Sequence, residues 1–352
     1  MKIGILTFHW ATNYGAVLQS YALQTCLESY GHDVEIINYK PRKYDKKVWP
    51  FIRSRMFLHL KDYLNQRRQE AALKLFRKEY LKVTKRYYYE SELSTACSKY
   101  DIIISGSDQV LNPNFLLHGE SGQSSAYFIG FPYSGKRIGY AVSFGCIEYP
   151  PNALNVASKL IPTFDKISTR ERSGLEIVKQ MGFENPLLAP DPTILLDKNK
   201  YLKMTSSFGK RDYTFMFFIR NKNEYVSSTK ALLPQRNFIV NNEDGTYSLE
   251  SWLSKILHAN LVVTDSFHCV VLSLFFNIPF IVITKERGME GMNDRLFTLL
   301  EKCGIPERIV AYDDIIDLQK VIIRSIDWER VNYSLIDYRN EGILFLNSIL
   351  KE

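Results

Sequence analysis

The sequence predicts an α/β protein made of two Rossmann-like domains that face each other across a cleft. The first observation is a β-α-β pattern at the start, where the apolar runs Ile3–Phe8 and Val34–Tyr39 flank a helical stretch. The second is a strand-turn-helix-strand pattern over 261–283. The third is the length of 352 residues, which suits two such domains better than one.

Proline placement predicts where the chain divides into domains, and composition indicates a folded, globular protein. Pro150 and Pro151 mark the predicted boundary, which assigns residues 1–150 to the first domain and 151–352 to the second. With 45% hydrophobic and 24% charged residues, the chain has material for two cores and is not predicted to be disordered.

The apolar runs are too short for membrane insertion. None approaches the roughly 18 consecutive apolar residues of a spanning helix. The first run, Ile3–Phe8, is shorter than the core of a signal peptide and lacks a small-residue cleavage site. We therefore expect a cytoplasmic protein.

The five cysteines are scattered and none forms a C-x-x-C pair. They indicate neither a disulfide framework nor a zinc site. No carboxylate cluster in the sequence calls for magnesium. We predict no metal.

The first strand ends in a turn, His9–Gly15, that precedes a helix predicted over 16–30. Asn13 and Gly15 suit unusual backbone angles. The loop lacks the G-x-G-x-x-G pattern, so no dinucleotide site is predicted. Asn13, Tyr14 and Gly15 either hold a polar ligand such as a sugar or simply make the turn, and the sequence leaves both open.

Residues 41–90 form a basic and aromatic block with helical apolar spacing. Residues 40–90 contain sixteen Lys and Arg against five Asp and Glu, whereas the whole chain carries a net charge of +7. Two interpretations stay open: a solvated helical insertion, and a basic amphipathic surface that docks on anionic lipid. Nucleic-acid binding is disfavoured because no recognised nucleic-acid module surrounds the charge.

Two more predicted strands of the first domain end in small polar turns. The strand at 137–143 ends in Ser143. The turn after the apolar run 101–104 consists of Ser105, Gly106, Ser107 and Asp108. Small residues at the end of a strand allow backbone N–H groups to approach a ligand.

The second domain repeats the alternation. Strands are predicted at 166–169, 213–219 and 237–240, a proline-bracketed strand end at 187–193, and helices over 170–181, 251–257, 293–304 and 333–350. The arginines near predicted strand or helix starts are Arg170, Arg172, Arg220 and Arg295. Because arginine pairs in bidentate fashion with carboxylates and phosphates, an anion site is favoured over ordinary surface ion pairs.

The stretch 261–283 carries the strongest candidate for chemistry. A buried strand over 261–263 leads through a polar turn into a helix predicted over 267–276. His268 would lie in the first helical turn, above the carboxyl end of a strand, where open α/β sheets bind ligands and a helix N-terminus favours an anion. An imidazole there suits transfer of a group bearing phosphate or carboxylate. The alternative is a capping or half-buried structural histidine.

A series of motifs, in this order, resembles the polysaccharide pyruvyl transferase family. They are I-G-I-L-T-F at 3–8 with N-Y-G-A-V-L-Q-S-Y-A-L at 13–23, D-I-I-I-S-G-S-D-Q at 101–109, T-R-E-R-S at 169–173, D-P-T at 191–193, T-D-S-F-H at 264–268 and N-D-R at 293–295. Each motif alone is moderately specific for the family, and their order and spacing together are strong evidence of the resemblance. The resemblance spans residues 2 to 310 approximately.

The resemblance implies a fold like the two-domain GT-B glycosyltransferases. It implies phosphoenolpyruvate as donor and co-substrate, without any cofactor. The acceptor would be a sugar, often in a bacterial exopolysaccharide or capsule, or in its lipid-linked precursor. The product would be a cyclic pyruvate ketal across two sugar hydroxyls, with release of phosphate.

The resemblance also implies roles for residues. His268 would be the general acid/base, and Arg170, also assigned to catalysis, would contact the donor phosphate or carboxylate. The predicted donor-binding residues are Arg172, Arg220, Ser266, Phe267 and Arg295. The predicted acceptor-binding residues are Asn13, Tyr14, Gly15, Ser105, Gly106, Ser107 and Asp108.

One departure affects the donor pocket. Several members of the family have arginine two residues before the histidine, where this chain has Ser266. Either Ser266 and the helix N-terminus suffice to hold the donor, or Arg220 or Arg295 substitutes for the missing arginine.

Two alternative functions stay open. They are a nucleotide-sugar glycosyltransferase of the same architecture and a non-catalytic sugar- or anion-binding relative. The basic 41–90 block would suit an acceptor carried on a membrane lipid, which would place the protein at the inner face of the membrane.

Overall fold

The computed structural model describes residues 1–45, 60–118, 122–205, 212–285 and 292–350. The chain divides into two units, one formed by Met1–Pro192 with Ile349–Glu352, the other by Thr193–Ser348. The elements of the first unit are β1 (Lys2–Leu6), α1 (Tyr14–Ser29), β2 (Asp33–Ile36), α2 (Leu60–Tyr80), α3 (Leu93–Cys97), β3 (Ile102–Asp108), α4 (Pro113–Leu117), β4 (Lys136–Val142), α5 (Pro151–Leu160), β5 (Lys166–Thr169), α6 (Arg172–Gln180) and β6 (Leu187–Leu188).

The first unit is built on a parallel sheet of six strands in the order β2-β1-β3-β4-β5-β6. Ile3 and Ile5 of β1 and Ile103 of β3 are fully buried. Such runs are apolar throughout because helices cover both faces of a parallel sheet. Each fully buried side chain of this size contributes about 1.5–3 kcal/mol of transfer free energy. Because all strands run the same way, their carboxyl ends meet at one edge.

The predicted boundary at residue 150 is wrong. Strands β5 and β6 continue the first sheet, with Ile138 pairing with Lys166 and Ser168 with Leu187, and the division falls after Pro192. Pro151 is the first residue of helix α5. Because proline is common both in linkers and at the first position of a helix, the Pro150-Pro151 pair could not distinguish the two.

The predicted helical insertion is confirmed for residues 60–80, which form α2. The part of the block at 46–59 lies outside the described residues. Helix α2 packs on α1 through edge-to-face contacts of Tyr21 with Phe76 and Tyr80, at centroid distances of 6.0 and 5.9 Å. After the helix, the chain returns to the sheet through isolated bridges of Ile36 with Val83 and of Tyr39 with Tyr87.

The second unit has the same alternation. Helix α7 (Pro192–Leu195) begins at the division, and the remaining elements are α8 (Lys198–Leu202), β7 (Thr214–Phe217), α9 (Lys222–Leu232), β8 (Phe238–Val240), α10 (Leu249–Leu257), β9 (Leu261–Thr264), α11 (Phe267–Phe276), β10 (Phe280–Thr284), α12 (Asp294–Lys302), β11 (Ile309–Ala311), α13 (Leu318–Ile322) and α14 (Trp328–Leu350). Helix α14 ends in the first unit.

The second sheet is parallel, with five strands in the order β11-β10-β9-β7-β8. Met216, Val263 and Ile281 form its buried centre. Helix α11 has the predicted bounds, and it ends at Asn277 in the left-handed conformation, with φ 53°. Among the described helices, none is both long enough and apolar enough to cross a bilayer.

Candidate active site

A polar turn crosslinks two strands at the carboxyl end of the second sheet. Thr264 donates its hydroxyl hydrogen to the Phe217 carbonyl at 2.6 Å and accepts from the Ser266 N–H at 3.0 Å. The Asp265 carboxylate accepts from the backbone N–H groups of Ile219 and Arg220 at 2.7 and 2.9 Å. Burial raises the pKa of Asp265, and these two hydrogen bonds oppose that rise. The turn therefore fixes where the chain leaves both β7 and β9.

His268 lies in the first turn of α11, as the sequence predicts, and is 6% exposed. Ser266 is the N-cap residue by its extended backbone, although its side chain makes no capping bond. The Phe267 ring stands edge-on to the imidazole at a centroid distance of 5.3 Å. The arrangement holds an imidazole beside the N–H groups of a helix start, where a negative charge is favoured.

Three cationic side chains follow strands or begin a helix at this same edge. Arg220 follows β7, Lys285 follows β10, and Arg295 is in the first turn of α12. The guanidinium carbon of Arg295 lies 5.9 Å from the centre of the Phe267 ring, and the Arg220 guanidinium contacts Met292. Sequence reasoning missed Lys285, although its place after a predicted apolar run was a usable signal.

In the first unit, the β1–α1 loop is held by its own helix. Asn13 is the N-cap of α1 and accepts from the Ala16 N–H at 3.2 Å. Tyr14 and Gly15 are the first residues of the helix and are buried, so the predicted turn contributes the half-buried Asn13 to the surface.

His9 is a buried histidine of this loop that the sequence reasoning did not single out. Its Nδ1 lies 3.2 Å from the Thr7 carbonyl and its Nε2 lies 3.2 Å from the Asn38 side-chain oxygen. Burial lowers the pKa of His9 to about 4, an effect that the two hydrogen bonds oppose and that the charges of Arg77 and Lys40 reinforce.

The lowered pKa of His9 predicts a loss of stability in acid. As the pH falls from about 6.5, the unfolded chain takes up a proton before the folded protein does, so stability falls until about pH 4, by roughly 3 kcal/mol. We expect the pH slope of urea-unfolding free energies over this window to decrease in His9→Gln. Equal slopes in the two proteins would show that His9 does not titrate in this way.

The predicted turn at Ser105–Asp108 is wrong, because these residues pair with β4 and form the second half of β3. Their hydroxyls are used inside the protein. Ser105 donates to the Tyr127 carbonyl at 2.5 Å, and Ser107 donates to the Ala141 carbonyl at 2.8 Å. Gly106 has φ +115°, and a Cβ there would collide with the Tyr140 carbonyl. Ser105 and Ser107 are fully buried. Their predicted acceptor contact finds no support in this placement, and Asp108, the last residue of β3, is the member of this stretch with a partly exposed side chain.

Arg170 is enclosed by carboxylates at the carboxyl end of β5. Its Nη1 lies 2.8 Å from Asp191, its Nη2 3.4 Å from Asp108 and its Nε 3.9 Å from Glu171. Its side chain is 1% exposed. Burial alone would lower the pKa of Arg170, but the three carboxylates outweigh burial and raise it. Arg170 therefore holds this edge of the first sheet together, and its contact with the donor stays a prediction.

This cluster joins residues that the sequence analysis had separated. Arg170 was assigned to the donor side and Asp108 to the acceptor side, but both belong to the first unit and form an ion pair. Arg172 also belongs to the first unit, where it begins α6 with an exposed side chain. Of the four arginines singled out in the sequence, Arg220 and Arg295 are thus the two that share a unit with His268.

Two carboxylates of this edge stand in quoted motifs, but sequence reasoning gave them no role of their own. Asp191 is fully buried, and the prolines on either side of it were the available signal. Glu171 accepts from the Phe144 N–H at 3.0 Å and so ties the end of β4 to the start of α6. Within the described ranges, no three His, Cys, Asp or Glu side chains are grouped so that they could hold a metal ion.

Comparison with known proteins gives a family and a fold. The family model for polysaccharide pyruvyl transferase matches residues 13–287. No curated protein matches the chain. The structure is similar to UDP-N-acetylglucosamine 2-epimerase from Rickettsia bellii, with a TM-score of 0.56, 10% identity and coverage of 100% of this chain and 96% of that one. It is also similar to the UDP-GlcNAc-bound 2-epimerase from Neisseria meningitidis, with a TM-score of 0.52, 10% identity and full coverage of both chains. At these identities the likeness shows the fold alone, which is the GT-B-like α/β fold that the sequence predicts.

Proposed function

The chain belongs to the polysaccharide pyruvyl transferase family, and on that premise we propose that its donor is phosphoenolpyruvate and its product a cyclic ketal on a sugar. The pyruvate unit would bridge two hydroxyls of a polysaccharide or of its lipid-linked precursor, with release of phosphate. The observation that carries the proposal is the position of His268 at the start of α11, on the same edge of the sheet as Arg220 and Arg295.

The proposed reaction balances without a redox partner. A proton adds to the methylene carbon of phosphoenolpyruvate, and one sugar hydroxyl attacks the resulting cationic carbon. Loss of phosphate regenerates a cationic centre, which the second hydroxyl attacks to close the ring. Of the two protons that the hydroxyls release, one replaces the proton used at carbon and the other leaves with phosphate.

In this proposal His268 supplies the first proton, since imidazole can exchange protons near neutral pH. Arg220 and Arg295 neutralise the donor phosphate and carboxylate, together with the N–H groups at the start of α11. This assignment accounts for Ser266 where several relatives have arginine, because other cations occupy the same edge. The hydroxyl of Ser266 and the ring of Phe267 would line the pocket.

On the acceptor side, Asn13 and Asp108 are the predicted residues whose side chains are partly exposed, and in this proposal they contact the sugar. Asn13 is half-buried at the start of α1, and the Asp108 side chain is 17% exposed. An amide and a carboxylate are ordinary hydrogen-bond partners for sugar hydroxyls.

The donor can be tested by thermal unfolding against phosphoenolpyruvate, pyruvate, phosphate, UDP, GDP and CDP. We expect phosphoenolpyruvate at 100 times its Kd to raise the Tm by roughly 5–10 °C, because a ligand that binds only the folded state stabilises it by about 2.7 kcal/mol at that concentration. The shift should decrease in Arg295→Gln, while the exposed Arg236→Gln of the same unit serves as a matched control.

Two results would contradict the proposal. A shift with a nucleoside diphosphate and none with phosphoenolpyruvate would indicate a nucleotide-sugar glycosyltransferase. A shift with phosphoenolpyruvate that is never followed by phosphate release, across a panel of sugar acceptors, would indicate a binding protein without turnover.

A further inference from the structure

Helix α2 is joined on its inner side to the β1–α1 loop. Glu70 accepts a hydrogen bond from the Thr12 hydroxyl at 2.7 Å. Arg77 pairs with Glu70 and donates to the carbonyls of His9 and Ala11 at 3.5 and 3.4 Å. The helix therefore contacts the loop that leads to Asn13.

The outer side of α2 presents apolar side chains to solvent. Leu64 is 44% exposed and Leu75 is 69% exposed. At about 100° per residue, Leu64, Ala71 and Leu75 fall within one narrow stripe of the helix. The buried residues Leu73 and Phe76 lie on the opposite side. A leucine as exposed as Leu75 contributes little to the core of this unit.

Cationic side chains flank this stripe, three on one side and one on the other. The exposed cations are Arg67, Arg68, Lys74 and Lys78. Of the carboxylates on residues 63–80, Glu70 points to Thr12 and Arg77, which leaves Glu79 on the exposed surface. The outer face of α2, defined by Leu64, Arg67, Arg68, Ala71, Lys74, Leu75, Lys78 and Glu79, is therefore apolar at its centre and carries a net positive charge. Three of its cations line one margin, and Arg68 lies beside Glu79 on the other.

We propose that the outer face of α2 docks on an anionic lipid surface. A helix with an apolar stripe bordered by Lys and Arg lies in the plane of a bilayer, with leucines among the headgroups and the cations on anionic lipids. The exposed leucines favour lipid over a nucleic acid or an acidic polysaccharide, which would match the charge but not the apolar stripe. The helix lies on the bilayer and does not cross it.

Docking in this way holds the β1–α1 loop within about one helix diameter, roughly 10 Å, of the membrane surface, because that loop is bonded to the inner side of α2. If Asn13 contacts the acceptor, the acceptor is then a sugar carried on a membrane lipid. This second step rests on the proposed function, whereas lipid docking itself does not.

The docking surface can be tested by flotation of the full chain with vesicles of phosphatidylcholine, with and without phosphatidylglycerol. We expect the protein to float with anionic vesicles and to stay in solution with neutral ones. Lys74→Gln combined with Lys78→Gln should weaken partitioning by roughly 25-fold, because each basic residue near an anionic surface contributes about a fivefold change. Leu75→Ser should weaken it by about fivefold or more.

A control variant tests whether flotation depends on the outer face of α2 rather than on total charge. Lys198→Gln combined with Lys320→Gln removes the same charge from exposed positions of the second unit and should leave flotation unchanged. Circular dichroism and Tm establish that each variant is folded. Equal flotation of the α2 variants and the control would overturn the proposal. So would binding to a polyanion or self-association that depends on Leu75 while vesicles are not bound.

The flotation result is independent of the donor test. A protein that floats through α2 but does not bind phosphoenolpyruvate would retain the docking surface and lose the proposed function. A protein that turns over soluble acceptor but never floats would retain the proposed function and lose the docking surface.

Discussion

Replacing Arg170 with methionine is expected to lower the free energy of unfolding by about 3–5 kcal/mol. The side chain is 1% exposed and pairs with Asp191, Asp108 and Glu171. Removing it leaves carboxylates near one another without their cation, in a place where water does not reach them well. Methionine has a similar length, so the loss would reflect charge more than packing.

Urea unfolding followed by circular dichroism measures this effect. Arg172→Met is the matched control, because Arg172 is two residues away and exposed, and it should change stability by no more than about 0.5 kcal/mol. If Arg170→Met were as stable as this control and had lost only its response to phosphoenolpyruvate, the contact with the donor would be the main role of Arg170.

The sequence was most informative where the signals are local. The stretch 261–283 alternates apolar runs with a polar turn and a proline, and the structure has a strand at Leu261–Thr264 and a helix at Phe267–Phe276, as predicted. Side-chain period and helix capping act over a few residues, so one sequence is sufficient to recognise them.

The buried ion cluster could not be predicted because its contacts are long-range. Arg170 meets Asp191 and Asp108, which are 21 and 62 residues away in the chain. Nothing local distinguishes an arginine that binds an anionic ligand from one that binds a carboxylate of the protein. The same holds for Ser105 and Ser107, whose hydroxyls suit a ligand and a neighbouring carbonyl equally well.

The basic block at 41–90 shows both what a local pattern predicts and what it leaves undecided. Its charge and helical spacing predicted the insertion, but Arg77 is used inside the unit, whereas Lys74 and Lys78 are exposed on the outer face. Only the packing of α2 against α1 decides which cations remain for a partner.

Replacing His268 with glutamine is expected to lower kcat by about 10²–10⁴-fold, the usual contribution of a general acid or base. Glutamine keeps a polar side chain of similar reach at the first turn of α11 but cannot exchange a proton near neutral pH. The expectation rests on the proposed reaction, in which carbon protonation starts the transfer. Phosphate release in the presence of phosphoenolpyruvate and acceptor measures it.

His258→Gln is the matched control for this variant. His258 lies in the same unit, at the end of α10, where its Nδ1 is 2.8 Å from the Ser254 carbonyl, and its replacement should leave kcat unchanged. His268→Gln should retain its Tm and most of its shift with phosphoenolpyruvate, because Arg220 and Arg295 would still hold the anion. Loss of binding with kcat preserved at saturating donor would instead make His268 a donor-binding residue, and the source of the proton would then have to be sought elsewhere on the same edge of the sheet.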